Sequence, residues 1–180
     1  DPELSRGLGD VYKRQGVTIP GTGILMNNQM NNFAYRYGDT SVSGRAASPA
    51  NKFEAGKRPM STMTPTMVFN QSGELTLVTG SPGGSFIPAA VLRVVSGIID
   101  FNLNIGEATM LPRIHKDWPY SGLDHESILS SDISRQLGIM GHQPESQKTM
   151  GSTQSIHIKD GINYGYADLR RPGAAVSIQR

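Results

Sequence analysis

The 180-residue sequence contains no cysteine. This excludes a disulfide framework and a thiolate metal site and leaves the redox compartment open. Aromatics are sparse at 7%, and 17 Lys and Arg against 15 Asp and Glu leave a formal charge of only +2. The basic residues are scattered rather than gathered into a stripe with interleaved aromatics, so the pattern does not call for nucleic acid as a partner. Long apolar runs are missing too: the longest, Phe86 to Ile99, is broken by Pro88, Arg93 and Ser96. It falls short of the roughly 20 residues a membrane span requires. The opening residues lack a basic n-region ahead of an apolar h-region and do not read as a secretory signal.

What is present suits one ordinary core, with 37% apolar and 18% charged residues. Residues 1–15, DPELSRGLGDVYKRQ, have no useful periodicity and read as a non-native or junction segment, whereas 16–180 read as one domain. GILMNN at 23–28 predicts a short strand entering a polar turn, and the Ser-, Gly-, Ala- and Pro-rich stretch 35–59 predicts a long surface excursion. Runs at 66–70 and 74–79 around Gln71-Ser72-Gly73 predict a β-hairpin. Ile87, Val91, Val94, Val95, Ile98 and Ile99 recur at helical spacing, with Ser85 in place to cap and Pro88 in the first turn. Asn104 and Glu107 have the spacing of a capping box for a short helix that ends before Pro112. Another short helix is expected over 131–137, stopping at Gly138. Asp160-Gly161 predicts a second hairpin between 153–158 and 162–168. Strand pairs that bracket helices favour an α+β layered sandwich with an antiparallel sheet over a doubly wound parallel one.

Between the first hairpin and the long helix lies GSPGGS, Gly80 to Ser85. A phosphate loop needs Lys and then Ser or Thr after its glycines, but Ser85-Phe86-Ile87 follows here. The dinucleotide fingerprint fails on spacing as well. Consecutive glycines at a helix start let backbone N–H groups approach a ligand oxygen closely. An oxyanion hole and a plain tight turn therefore both remain open.

Other residues have plainer readings. His115, His125, His142 and His157 lack the spacing of a helical zinc pair and are assigned surface or packing roles. No metal or cofactor is expected. A triad of Ser81, His115 and Asp117 lacks the nucleophile-elbow context. Arg113, Arg170 and Arg171 read as surface ion pairs or loop contacts. Asn27 and Asn28 read as turn residues, and Met30 and Phe33 as packing.

Four segments taken together, GILMNNQMNNF at 23–33, GKRPMSTMTPT at 56–66, VTGSPGGS at 78–85 and MGSTQSI at 150–156, resemble the small subunit of γ-glutamyltranspeptidases. The likeness continues through ATMLPRIHKDW at 108–118 to ADLRRPGAA at 167–175. It implies the four-layer αββα sandwich of N-terminal-nucleophile hydrolases, incomplete in this chain, and a precursor that cleaves itself to expose a nucleophilic Thr. By resemblance, Gly83 and Gly84 supply the oxyanion hole, where one donor is worth about 3 kcal/mol of barrier. Ser61 and Thr62 occupy a Ser-Ser position that binds the α-carboxylate of the glutamyl group. Gln29 occupies a Gln or Glu position and Asn32 a position that is usually Asp, both directed at the substrate α-amino group.

Asn32 departs from that pattern: a full charge partner at ~4 Å is worth up to about 4 kcal/mol at an effective dielectric near 20. The resemblance also places the nucleophile upstream of GTGILMNN, and residues 1–15 contain no Thr. The expectation is therefore a fragment that lacks its catalytic start and is inactive alone. The partners implied are the large subunit of the same precursor, a γ-glutamyl donor such as glutathione, and an amino-acid or peptide acceptor. A periplasmic or secreted location is expected from the family. Alternatives are an acylase of the same superfamily acting on glutaryl groups, and a non-catalytic binding relative.

Overall fold

The computed structural model describes residues 18–27, 29–34, 49–117, 122–147 and 149–177. The expected junction segment 1–15, residues 35–48 of the surface excursion, and Asn28 lie outside these. The chain forms two units, Asp1–Ser61 and Thr62–Arg180.

In the first unit, the strand expected at 23–28 is not formed. Its backbone makes a single antiparallel bridge, Thr18 to Leu25, across a turn closed by Ile19 and Ile24. Between the bridged residues Gly21 and Gly23 both take positive φ, which is turn and not strand backbone. Asn27 behaves as the expected turn residue, its Oδ1 accepting from the Gln29 N–H at 3.1 Å. A 3-10 helix follows over Gln29–Asn32. Phe33 is buried and meets Phe53 edge to face at 5.3 Å, while Ala34 bridges in parallel to Lys52. Met30, expected to pack, is 49% exposed.

The second unit is α+β, as expected. Strands β1 (Thr66–Phe69) and β2 (Leu75–Gly80) form the first hairpin, with a bulge between Val68 and Phe69. Asn70 shapes its turn, its Oδ1 accepting from the Ser72 and Glu74 N–H groups. Strands β6 (Gln154–Lys159) and β7 (Ile162–Ala167) form the second hairpin. Its turn places Asp160 and Gly161 at φ 52° and 73°, the left-handed pair that a two-residue loop demands. The four strands make one antiparallel sheet in the order β1-β2-β6-β7.

Two helices cover one face of this sheet. Helix α1 (Ile87–Ile99) and helix α2 (Ile105–Met110) bring Val94, Ile105 and Ala108 onto Leu77 of β2, with Tyr166 of β7 packed beside them. Burying a side chain the size of Leu77, Val94 or Ile105 contributes about 1.5–3 kcal/mol. Gly97 permits the helix crossing, since a Cβ there would lie 2.9 Å from Ala108 Cβ. The Asn104–Glu107 capping box forms with both of its hydrogen bonds at 2.9 Å. Ser85 does not cap α1: it sits inside a 3-10 turn, Gly84–Phe86, so α1 begins after it with Phe86 as N-cap. On the opposite face Met67, Val78 and Ile156 stand in register across three strands, with Met67 63% and Ile156 46% exposed.

A second, three-stranded sheet holds β3 (Ile114–His115), β4 (Gly122–Glu126) and β5 (Gln143–Gln147). This sheet was not foreseen in the sequence, and within it β4 and β5 pair in parallel, joined through helix α3 (Ser131–Ile139). A parallel neighbour requires such a crossover. Helix α3 starts at the Ser130 cap and runs through Gly138, where it was expected to stop. The left-handed residue that ends it is Gly141, at φ 91°.

Candidate functional site

The candidate residues fall in both units. In the first, Gln29 and Asn32 stand at the two ends of one 3-10 turn, and Asn32 Nδ2 donates to Gln29 Oε1 at 2.7 Å. The result is an uncharged pair of amides with one carbonyl oxygen and one amide nitrogen left to present. Glu54, the one carboxylate among the described residues of this unit, is held by Lys57 at 2.9 Å. Asn51 ties the turn to the approach to Ser61: its Nδ2 donates to the Asn32 carbonyl at 2.6 Å and its Oδ1 accepts from the Met60 N–H at 2.9 Å. Sequence reasoning missed Asn51, for which the one available signal was an Asn in a polar loop.

In the second unit Thr62 precedes β1, and its carbonyl accepts from Thr64 Oγ1 at 2.9 Å. Gly83 and Gly84 stand together at the start of the 3-10 turn that leads into α1. Gly83 takes φ 142°, a conformation that side chains rarely adopt, and Gly84 takes φ 60°. Among the described residues neither glycine N–H has a hydrogen-bond acceptor, as expected for the first groups of a helical segment. These two donors, with the favourable potential of the helix start, suit an anionic oxygen.

The turn is seated on residues 150–153. A Cβ on Gly83 would lie 3.0 Å from Gly151 Cα, and one on Gly151 would lie 2.6 Å from Ser81 Oγ. Backbone therefore packs on backbone. Ser81 Oγ accepts from the Ser152 N–H at 3.0 Å and donates to the Pro82 carbonyl at 2.7 Å. With its hydroxyl so placed, Ser81 is part of the turn's support and not the nucleophile of a triad. His115 Nε2 does lie 3.1 Å from Asp117 Oδ1, but its ring packs edge to face on Phe86. His125 is buried, with Nδ1 3.0 Å from the Glu126 carbonyl oxygen.

Behind residues 150–153 lies a buried quartet of charges, which corrects the surface role expected of two arginines. Arg113 is 1% exposed and meets Asp168 at 2.6 Å. Its guanidinium also donates to the Met150 carbonyl at 2.6 Å and to Thr153 Oγ1 at 3.1 Å. Arg170 grips both oxygens of Glu126 at 2.6 Å and reaches Asp168 Oδ1 at 3.2 Å. Asp168 Oδ2 accepts the Thr153 N–H at 2.7 Å, and Glu126 Oε1 accepts the Met150 N–H at 3.0 Å. Arg171, by contrast, is exposed as expected.

Burial pushes the Glu126 carboxyl up, but Arg170 and the Met150 and Arg113 N–H groups outweigh it and hold the carboxyl below its ordinary value. Asp168 is likewise raised by burial and brought lower overall by the Arg170 N–H, by Arg113 and by Thr153. Arg113 is lowered by burial and by the nearby Arg170, whereas Arg170 overcomes its own burial through Glu126 and Asp168 and is raised. Both guanidinium groups titrate so far above neutrality that they stay charged. The quartet is thus two cations and two anions with no net charge.

Among the described residues no three His, Cys, Asp or Glu side chains gather as a metal would need, and no helix is long and apolar enough to cross a membrane. A groove of about 920 Å³ in the second unit is lined by Val78, Ser155, Ile156, Tyr164, Tyr166 and Ala175 among others, and includes neither Gly83 nor Gly84.

Comparison with known proteins adds to this geometry. A family model described as gamma-glutamyltranspeptidase matches residues 14–178. The chain is 42% identical over 156 residues to a glutathione hydrolase proenzyme of Escherichia coli, covering 86% of this chain and 27% of that protein. It therefore spans about a quarter of that relative's length. A solved Helicobacter pylori gamma-glutamyltranspeptidase mutant is 38% identical, with a TM-score of 0.81 over 86% of each chain. A cephalosporin acylase from Bacillus halodurans is 25% identical, with a TM-score of 0.76 over 91% of this chain and 29% of that one.

Proposed function

Since the chain belongs to the γ-glutamyltranspeptidase family, we propose that it is part of a γ-glutamyl acyltransferase and hydrolase matured from a precursor by self-cleavage. The observation that carries this reading is the Gly83–Gly84 turn, with two N–H donors at a helix start and a rigid backbone seat behind it.

In the proposed reaction, a Thr hydroxyl from outside these 180 residues attacks the carbonyl carbon of a γ-glutamyl amide such as glutathione. The carbonyl oxygen becomes anionic and is received by the Gly83 and Gly84 N–H groups. The C–N bond then breaks, the departing amine takes a proton, and a γ-glutamyl ester remains. Water or the amine of an amino acid or peptide attacks that ester, releasing glutamate or a new γ-glutamyl amide and restoring the hydroxyl. Ser61 and Thr62 bind the α-carboxylate through their hydroxyl groups, and Gln29 and Asn32 face the α-amino group. No cofactor takes part. The large subunit of the same precursor completes the enzyme in a periplasmic or secreted setting, and the isolated chain gives no turnover.

A second reading, a glutaryl-type acylase, is favoured by one observation: the Gln29–Asn32 pair carries no negative charge to meet an ammonium. A glutaryl group has none.

Assays of the matured full-length protein with chromogenic γ-glutamyl and glutaryl amides, each with and without a dipeptide acceptor, test both. Turnover of the γ-glutamyl amide that rises with acceptor supports the first reading, and turnover confined to the glutaryl amide supports the second. Turnover of neither, together with no Thr, Ser or Cys at a processing junction, would leave a non-catalytic relative and sink both.

A further inference from the structure

We propose that Arg113, Glu126, Asp168 and Arg170 are positioning residues for the reaction, acting through residues 150–153 to set where the Gly83 and Gly84 N–H groups point. The proposal rests on the reading of those two groups as the oxyanion donors.

Gly83 has no side chain to anchor it, and glycine moves readily among positive-φ conformations, so nothing within the residue fixes its φ at 142°. Something outside the turn must hold it. The seat is Gly151, whose own φ is 72° and whose missing Cβ leaves room for Ser81 Oγ and the Pro82 carbonyl. Ser152 supplies the hydrogen bond that fastens seat to turn, at 3.0 Å to Ser81 Oγ.

Residues 150–153 are in turn gripped at both ends. Met150 gives its N–H to Glu126 and receives Arg113 on its carbonyl, at 3.0 and 2.6 Å. Thr153 gives its N–H to Asp168 at 2.7 Å, and its hydroxyl stands between Asp168 and Arg113 at 3.2 and 3.1 Å. Arg170 couples the two grips by holding Glu126 and Asp168 at once. The quartet's carboxylates accept from backbone N–H groups of the very segment on which the turn is seated. A shift of about 1 Å in donors of this kind lowers rate by up to about a hundredfold.

The test uses the matured full-length enzyme with Thr153→Val, Thr153→Ser, Ser81→Ala and Asp168→Asn. Steady-state kinetics on a γ-glutamyl anilide give kcat and KM. A boronic acid carrying the glutamyl side chain reports binding of a tetrahedral adduct, and free glutamate reports ground-state binding. Thr153→Val and Ser81→Ala are expected to lower kcat by about tenfold to a hundredfold and to weaken the boronic acid by the same factor. KM and the glutamate inhibition constant stay within roughly twofold, and Thr153→Ser restores activity. Should Asp168→Asn fail to mature, the Thr153 variants, which change no charge, carry the test alone. Unchanged kcat and boronic-acid affinity in Thr153→Val and Ser81→Ala overturn the proposal, as does a glutamate constant that weakens in parallel with kcat. A wild type that neither turns over the anilide nor binds the boronic acid overturns the acyl-transfer reading and this proposal with it.

Discussion

Asp168 Oδ2 lies 2.6 Å from Arg113 Nη2, a contact between two buried groups 55 residues apart. Removing one partner leaves the other's charge buried and unmatched. Asp168→Ala is therefore expected to destabilise the full-length protein by about 3–5 kcal/mol, whereas Arg113→Met with Asp168→Leu loses much less. Denaturant unfolding of the wild type and both variants checks this. A paired variant that falls as far as the single one would show that the hydrogen bonds to residues 150–153, and not the buried charge, dominate.

Gly83→Ala and Gly84→Ala should differ. At Gly83 a methyl meets Gly151 backbone at 3.0 Å and an unfavourable φ of 142°, while at Gly84, φ 60°, nothing lies within 4 Å. We expect Gly84→Ala to cost about 1–2 kcal/mol from the left-handed backbone alone. Gly83→Ala keeps its N–H but adds the clash, and by displacing the donor is expected to lower kcat by up to about a hundredfold. Thermal unfolding alongside initial rates separates the two terms, and equal effects at both positions would contradict the packing described.

Acid sensitivity follows from the two carboxylates. Glu126 and Asp168 are both held below their ordinary values of 4.5 and 3.8. The folded state thus binds fewer protons than the unfolded state. The stability they contribute is fully present above the ordinary carboxylate range and is lost as pH falls through it toward their lower folded values. Melting temperature should begin to drop below about pH 4.5, and Glu126→Gln should flatten part of that slope. A slope unchanged by Glu126→Gln would assign the acid loss to other groups.

Asn32→Asp places a negative charge beside Gln29. An ammonium about 4 Å away gains about 1–4 kcal/mol, according to how well water screens the pair. The kcat/KM for a γ-glutamyl amide relative to a glutaryl amide should rise by about fivefold to several hundredfold. An unmoved ratio would mean that residue 32 does not face the α-substituent of the acyl group.

Local features of the fold were legible because short-range chemistry decides them. Asp160-Gly161 can take two left-handed conformations, and Asn104 with Glu107 can close a cap, whatever surrounds them. The long helix was visible in its apolar spacing, but not its start, because a 3-10 turn over Gly84–Phe86 takes up Ser85 itself and moves the N-cap to Phe86. The parallel partner of β4 and the burial of Arg113 and Arg170 were not legible. Each depends on residues far apart in sequence, and a lone arginine carries no local sign of the carboxylate it will meet. The four segments that resemble the family pointed to the turn and to the proposed glutamyl contacts. They left unannounced both Asn51, which ties the Asn32 turn to Met60, and the grip of Glu126 and Asp168 on residues 150–153.

The cancelling charges behind the turn also bear on how such a protein changes over generations. Replacing either arginine or either acid by an apolar residue strands an ion in the interior, so each first step toward an uncharged support is a step down in stability. Only joint replacement arrives at a sound interior. A lineage can drift freely at exposed Arg171, yet at Arg113, Glu126, Asp168 and Arg170 it must keep the whole arrangement or cross a valley to abandon it.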